Sequence, residues 1–172
     1  MYEVGDLIVY GSTGVCRVLE ITTLDASWAE KDQLYYALEP ACGDFTVYAP
    51  VNSSKVFTRP AISRDEANRL IDTIPSIEPK IQQAMRPQDM AAYYTTYIES
   101  HDCADLIELT MSLYAKKDKA VEEKVKFGSV DQKFMLRAEE LLFGELAAAL
   151  GIARDEVQDY IASRVGETKL AG

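Results

Sequence analysis

The stretch "GDLIVYGSTGVCRVLEI", residues 5–21, decides how the chain begins. An apolar run, Leu7 to Tyr10, meets Gly11-Ser12-Thr13-Gly14, and a second β-rich run, Val15 to Leu24, follows at once. The pattern predicts a tight hairpin. Such a hairpin could cradle a phosphate, open a small barrel, or offer a sheet edge to a partner. A phosphate cradle needs a helix after the glycines, so that its N-terminal N–H groups face the anion. Here a strand follows. The chain also has no Gly-x-Gly-x-x-Gly or Gly-x-x-x-x-Gly-Lys-[Ser/Thr] motif. "GSTG" therefore reads as a turn.

Working outward, three more strands are expected. Leu34–Leu38 follows the Asp25–Asp32 loop, and Phe45–Ala49 follows the Cys42-Gly43-Asp44 turn and is ended by Pro50. Val56–Phe57 would close the set. So few short strands leave exposed edges unless the sheet curls, which predicts a small, bent barrel of the Tudor or SH3 type. From Ser63 the apolar period changes to 3.6. Ser63-Arg64-Asp65-Glu66 reads as a capping box ahead of Ala67, Leu70, Ile71 and Ile74. Pro75 and Pro79 then punctuate the chain. Beyond them lie four helical patterns. The first is Met90–Ile98, and the second starts at an Asp102 cap and runs to about Val121. The third opens on a Ser129–Gln132 capping box and stops at Gly151, and the last is near Arg154–Val165. The predicted class is α+β in two domains: a β-barrel over 1–62, a capped helix and linker over 63–79, and an all-α helical bundle over 80–172.

Composition limits function. The 172 residues carry 28 acidic and 18 basic side chains, for a net charge of −10. Binding to nucleic acid by bulk charge is excluded, because phosphate affinity comes from lysine and arginine releasing counterions. One window differs: residues 116–137 hold seven basic side chains against four acidic. Its Lys116, Lys117, Lys119 and Lys126 either contact DNA or simply solvate a helix end. The three cysteines, Cys16, Cys42 and Cys103, are odd in number and widely spaced, which predicts free thiols and a reducing cytoplasm. No apolar run approaches a membrane-crossing length. The opening residues carry no basic and apolar leader, so no secretory signal is expected. His101 stands alone, in "ESHDC", where a turn or cap role is expected. With no second histidine and no paired catalytic group, an enzyme, a metal site and a cofactor are not expected. Trp28, the single tryptophan, lies in a polar loop. Either it folds back over the barrel, or it is an exposed interface anchor.

The order of the motifs carries a resemblance. Gly5-Asp6, Val9-Tyr10, Gly14-Val15, Tyr35-Tyr36-Ala37-Leu38 and Pro50-Val51-Asn52 resemble the N-terminal domain of the CarD/CdnL family of bacterial transcription regulators. That domain is shared with the transcription-repair coupling factor. The Ser100-His101-Asp102 segment and the later run of Ala138, Leu141, Leu142, Glu145, Leu146 and Ala147 are similar to the family's helical domain. The resemblance implies a Tudor-like barrel that docks on the RNA polymerase β subunit by strand addition, along Val18–Leu24 or Phe45–Tyr48. Thr22, Leu24, Phe45, Val47 and Tyr48 are then the polymerase-binding residues. It also implies a helical domain at promoter DNA, upstream of the bubble, which stabilises the open complex through an apolar wedge beside basic residues. Counting back from Ser100, the wedge position falls at Pro87, with Arg86 and Met90 beside it. Arg86, Pro87, Met90 and the window lysines are the implied DNA contacts. The alternative is a protein–protein adaptor that does not touch DNA, with Trp28, Tyr35 and Tyr36 lining its groove. The oligomer is expected to be a monomer or an edge-strand or domain-swapped dimer.

Overall fold

The computed structural model describes residues 1–170 and divides into two compact units, residues 1–61 and residue 62 onward. The first unit is a five-stranded antiparallel sheet. Its strands are β1 (Leu7–Tyr10), β2 (Gly14–Thr22), β3 (Tyr35–Pro40), β4 (Val47–Pro50) and β5 (Thr58–Pro60), in the order β4-β3-β2-β1-β5. "GSTG" is the β1–β2 turn, a single 3₁₀ turn at Gly11–Thr13. Gly11 has φ 47°, and a Cβ there would come within 2.6 Å of Val56 Cγ1, so the position requires glycine.

Alternation puts Ile8, Cys16, Val18, Tyr36, Leu38 and Ala49 on one buried face. The β2–β3 register shifts between Val18 and Glu20. Leu19 is therefore a bulge, and parity flips after it, so that Ile21 rather than Glu20 joins the buried face.

The ladder closes no ring, since β4 and β5 each have one neighbour. A cavity of about 290 Å³, lined in part by Tyr2, Tyr10, Tyr36, Ala49 and Val56, opens onto the buried face. The fifth strand lies later than expected, at Thr58–Pro60, because Val56 packs on the Gly11 turn and Phe57 C=O is taken by Gly11 N–H at 2.7 Å. The fourth starts at Val47, not Phe45. Gly43 (φ 118°) turns the chain so that the Phe45 ring lies over it, outside the ladder.

The second unit has five α-helices among the described residues: α1 (Arg64–Thr73), α2 (Pro87–Glu99), α3 (Cys103–Glu122), α4 (Ser129–Leu150) and α5 (Val157–Val165). Ser63 Oγ accepts from Glu66 N–H at 3.1 Å, and Asp102 Oδ1 accepts from Ala104 N–H at 2.9 Å, as capping chemistry predicts. Gly151 ends α4 with φ 68°. Ala67, Ile71 and Ile74 of the segment expected as helix and linker pack with Ile107, Leu142, Leu146 and Ile161, so α1 is part of the helical unit. The expected capping box at Ser129 does not form. Gly128 is the N-cap, with no side chain to offer, and Asp131 turns inward instead. Among the described residues, no helix is long and apolar enough to cross a membrane.

Candidate functional site

Which strand edges are free follows from the register. Val51 N–H bonds Leu34 C=O at 3.0 Å, so Val51, and by alternation Ala49 and Val47, aim their backbone groups at β3. Tyr48 then turns both N–H and C=O to the open side of β4. Pro50 has no N–H, and its C=O accepts from Ser53 N–H at 3.2 Å. The β4 edge is therefore real but narrow, blunted by proline as exposed edges commonly are. The other expected edge, Val18–Leu24, is mostly interior. β1 covers Gly14–Arg17, and Val18 exchanges backbone bonds with Gly5 and Asp6. Beyond the bulge β2 has a strand on one side only, and Ile21 faces its backbone outward.

The five predicted polymerase-binding residues separate by face. Thr22 and Tyr48 lie on the outer face of the sheet, in the rows Thr22–Tyr35–Pro50 and Glu20–Ala37–Tyr48. Tyr48 is 40% exposed. Val47 packs against the buried cluster instead, because its partner Leu38 faces inward. Phe45 is exposed on the loop before β4, and Leu24 is half-buried after β2. Trp28 joins this outer face. Its ring stands edge-on to Tyr35, with centroids 6.0 Å apart and planes at 85°, yet the residue is 64% exposed. The ring folds onto the sheet at Tyr35, and most of the residue's surface stays in water. The five polymerase-binding positions did not include it, although a lone tryptophan in a polar loop was a visible signal.

In the helical unit the predicted DNA contacts also separate. Met90 is 6% exposed and sits in a core with Tyr94, Leu109, Leu113, Met135 and Ala138, which takes it out of any DNA-facing set. Its helix starts at Pro87, so Met90 falls on the buried side one turn in. Lys116 is drawn inward as well. Its Nζ donates to Asp131 Oδ1 at 2.9 Å, and the Tyr94 hydroxyl donates to the same oxygen at 2.5 Å. Burial, then the bond to Asp131, pushes the Tyr94 hydroxyl well above the usual tyrosine range. Arg86 pairs with Asp89 at 3.0 Å, and Lys119 lies 3.8 Å from Glu123. Pro87, Lys117 and Lys126 are exposed.

Among the described residues no group of three or more His, Cys, Asp or Glu side chains could hold a metal. Burial pushes the Cys16 thiol up to about 11, which keeps it protonated. His101 takes a left-handed turn conformation, φ 56°, between α2 and α3.

The fold therefore defines an α+β protein with a small β interaction unit ahead of a helical unit. Residues 2–62, essentially the whole β unit, match the family model of the CarD-like/TRCF RID domain. The β unit is a CarD-like RNA polymerase-interacting domain, and the chain that carries it is a transcription-related, RNA polymerase-interacting protein. No curated protein matches the chain.

Proposed function

We propose that this protein is a non-enzymatic, cytoplasmic bacterial transcription regulator that docks on the β subunit of RNA polymerase by adding a polymerase strand at β4. The observation that carries the reading is the open side of β4. Tyr48 presents an unspent backbone pair there, beside exposed aromatic side chains, within an RNA polymerase-interacting domain. The Tudor-like barrel of the family corresponds to this bent five-stranded sheet. The protein needs no cofactor for such a role, which is one of binding.

For the helical unit, the first reading is stabilisation of the promoter open complex, with Lys117, Lys126 and Arg86 near phosphates and Pro87 at the wedge position. A second reading, a polymerase adaptor that leaves DNA alone, is favoured by one observation. Lys116 and Met90, two of the seven implied contacts, are committed to the unit's interior. Binding of the full chain to an isolated β-lobe fragment tests the docking claim, and no binding at tens of micromolar sinks it. Promoter open-complex lifetime with and without the protein, over a salt series, separates the two roles. A lengthened lifetime lost in a Lys117→Glu/Lys126→Glu variant supports DNA contact. An unchanged lifetime supports the adaptor.

A further inference from the structure

The β4 edge is too narrow to bind by backbone groups alone. One strand residue, Tyr48, offers both N–H and C=O, and a backbone hydrogen bond contributes little net free energy once water is accounted for. Association also costs translational, rotational and side-chain freedom. Affinity at this edge has to come from side chains held in place beforehand.

Trp28 meets that requirement. Its ring rests against Tyr35, whose Cα partner across the sheet is Pro50, the residue after the edge pair's neighbour Ala49. Tyr48 stands on the same face, in the adjacent row. The indole thus lies over β3, one strand in from the open edge. The loop that carries it is tied down: Ala29 N–H bonds Ala26 C=O at 3.0 Å, Gln33 N–H bonds Glu30 C=O at 3.3 Å, and Glu30 N–H bonds the Tyr35 hydroxyl at 3.1 Å. Much of the ordering is therefore done before a partner arrives. A large exposed aromatic held this way is an expected hot spot.

Charge names the partner. Residues 24–46, which run through the Trp28 loop, β3 and the turn into β4, hold five carboxylates (Asp25, Glu30, Asp32, Glu39, Asp44) against one cation, Lys31. We propose that Trp28 is the anchor of the docking surface, and that it receives a lysine or arginine side chain from the polymerase strand that adds to β4. A strand added there places alternate side chains on the outer face. One of these reaches the indole, whose face attracts a cation, and the net negative charge of this segment adds to that attraction. This proposal rests on the docking reading above.

The test uses the full chain with 5-hydroxytryptophan at its single tryptophan position, so that Trp28 emission is read against RNA polymerase. Acrylamide quenching is measured free and in complex, and affinity is measured for wild type, Trp28→Phe and Trp28→Ala over a salt series. The expected result is shielding of Trp28 in the complex, at least a tenfold loss for Trp28→Ala, a smaller loss for Trp28→Phe, and affinity that falls as salt rises. If Trp28→Ala loses its fold, shielding and the Trp28→Phe variant, which keeps a ring on Tyr35, decide the matter. A complex in which Trp28 stays fully quenchable overturns the anchor while leaving the docking reading standing. Shielding with no salt dependence overturns the cationic partner. No complex with wild type overturns the docking reading itself.

Discussion

Tyr94 of α2 and Asp131 of α4 are joined by a 2.5 Å hydrogen bond inside the helical unit, and Lys116 of α3 closes the group on the same oxygen. Three helices thus meet at one buried carboxylate. Asp131→Ala leaves an ammonium and a hydroxyl without their partner and is expected to cost about 3–5 kcal/mol. Tyr94→Phe keeps the ion pair and is expected to cost about 1 kcal/mol. Urea unfolding of the two variants measures the difference. Equal losses would show that the carboxylate is not the hub.

At the β4 edge, backbone and side chain can be separated at one residue. Tyr48→Pro removes the outward N–H and no bond to β3, so stability is expected to change by at most about 1 kcal/mol, while docking on RNA polymerase is lost. Tyr48→Ala keeps the N–H and is expected to weaken docking less. Thermal melts beside binding isotherms give both readouts. A Tyr48→Pro protein that docks as well as wild type places the contact elsewhere.

Gly43 carries two constraints at once: φ of 118° and the Phe45 ring, 2.3 Å from where a Cβ would be. Gly43→Ala is expected to destabilise the β unit by about 1–3 kcal/mol and to push Phe45 off the turn. A melting temperature equal to wild type would contradict this.

Alkaline pH should act on the β unit through Cys16. Its folded pKa is raised from 9.0 to about 11 by burial. The unfolded chain therefore loses the thiol proton first, so the contribution is intact below 9.0 and is lost as pH rises through about 11. Tyr2 and Tyr10, also raised by burial, act with the same sign. Cys16→Val is expected to flatten the alkaline fall in stability. Thiol labelling of the native protein should modify half-buried Cys42 well before Cys16 or Cys103. Rapid labelling of Cys16 at neutral pH would refute its burial.

Much of this architecture was legible from residue order. The β1–β2 hairpin was marked by Gly11 and Gly14, the start of α1 by Ser63, the start of α3 by Asp102 and the end of α4 by Gly151. These are local signals, because a turn or a cap is satisfied by atoms within a few residues. The order of motifs resembles that of the CarD/CdnL family, and it was this resemblance, not local chemistry, that pointed to polymerase. Ser129 failed as a cap because the helix is capped one residue earlier, at Gly128, and no local pattern displayed the partners that Asp131 finds on two other helices.

The sequence by itself determined the order and kind of the strands and helices and several of their ends, because hydrogen bonding within a turn and apolar periodicity are properties of neighbours; β4 and β5 began later than that pattern placed them. Only the tertiary structure decided which groups remain free to act. The register made Tyr48, not Val47, the open position of β4, and the Leu19 bulge reversed the facing of β2. Long-range packing drew Met90 and Lys116 inward and left Trp28 exposed against Tyr35 of β3. Exposure is set by what a distant segment covers, and that is settled only when the chain folds.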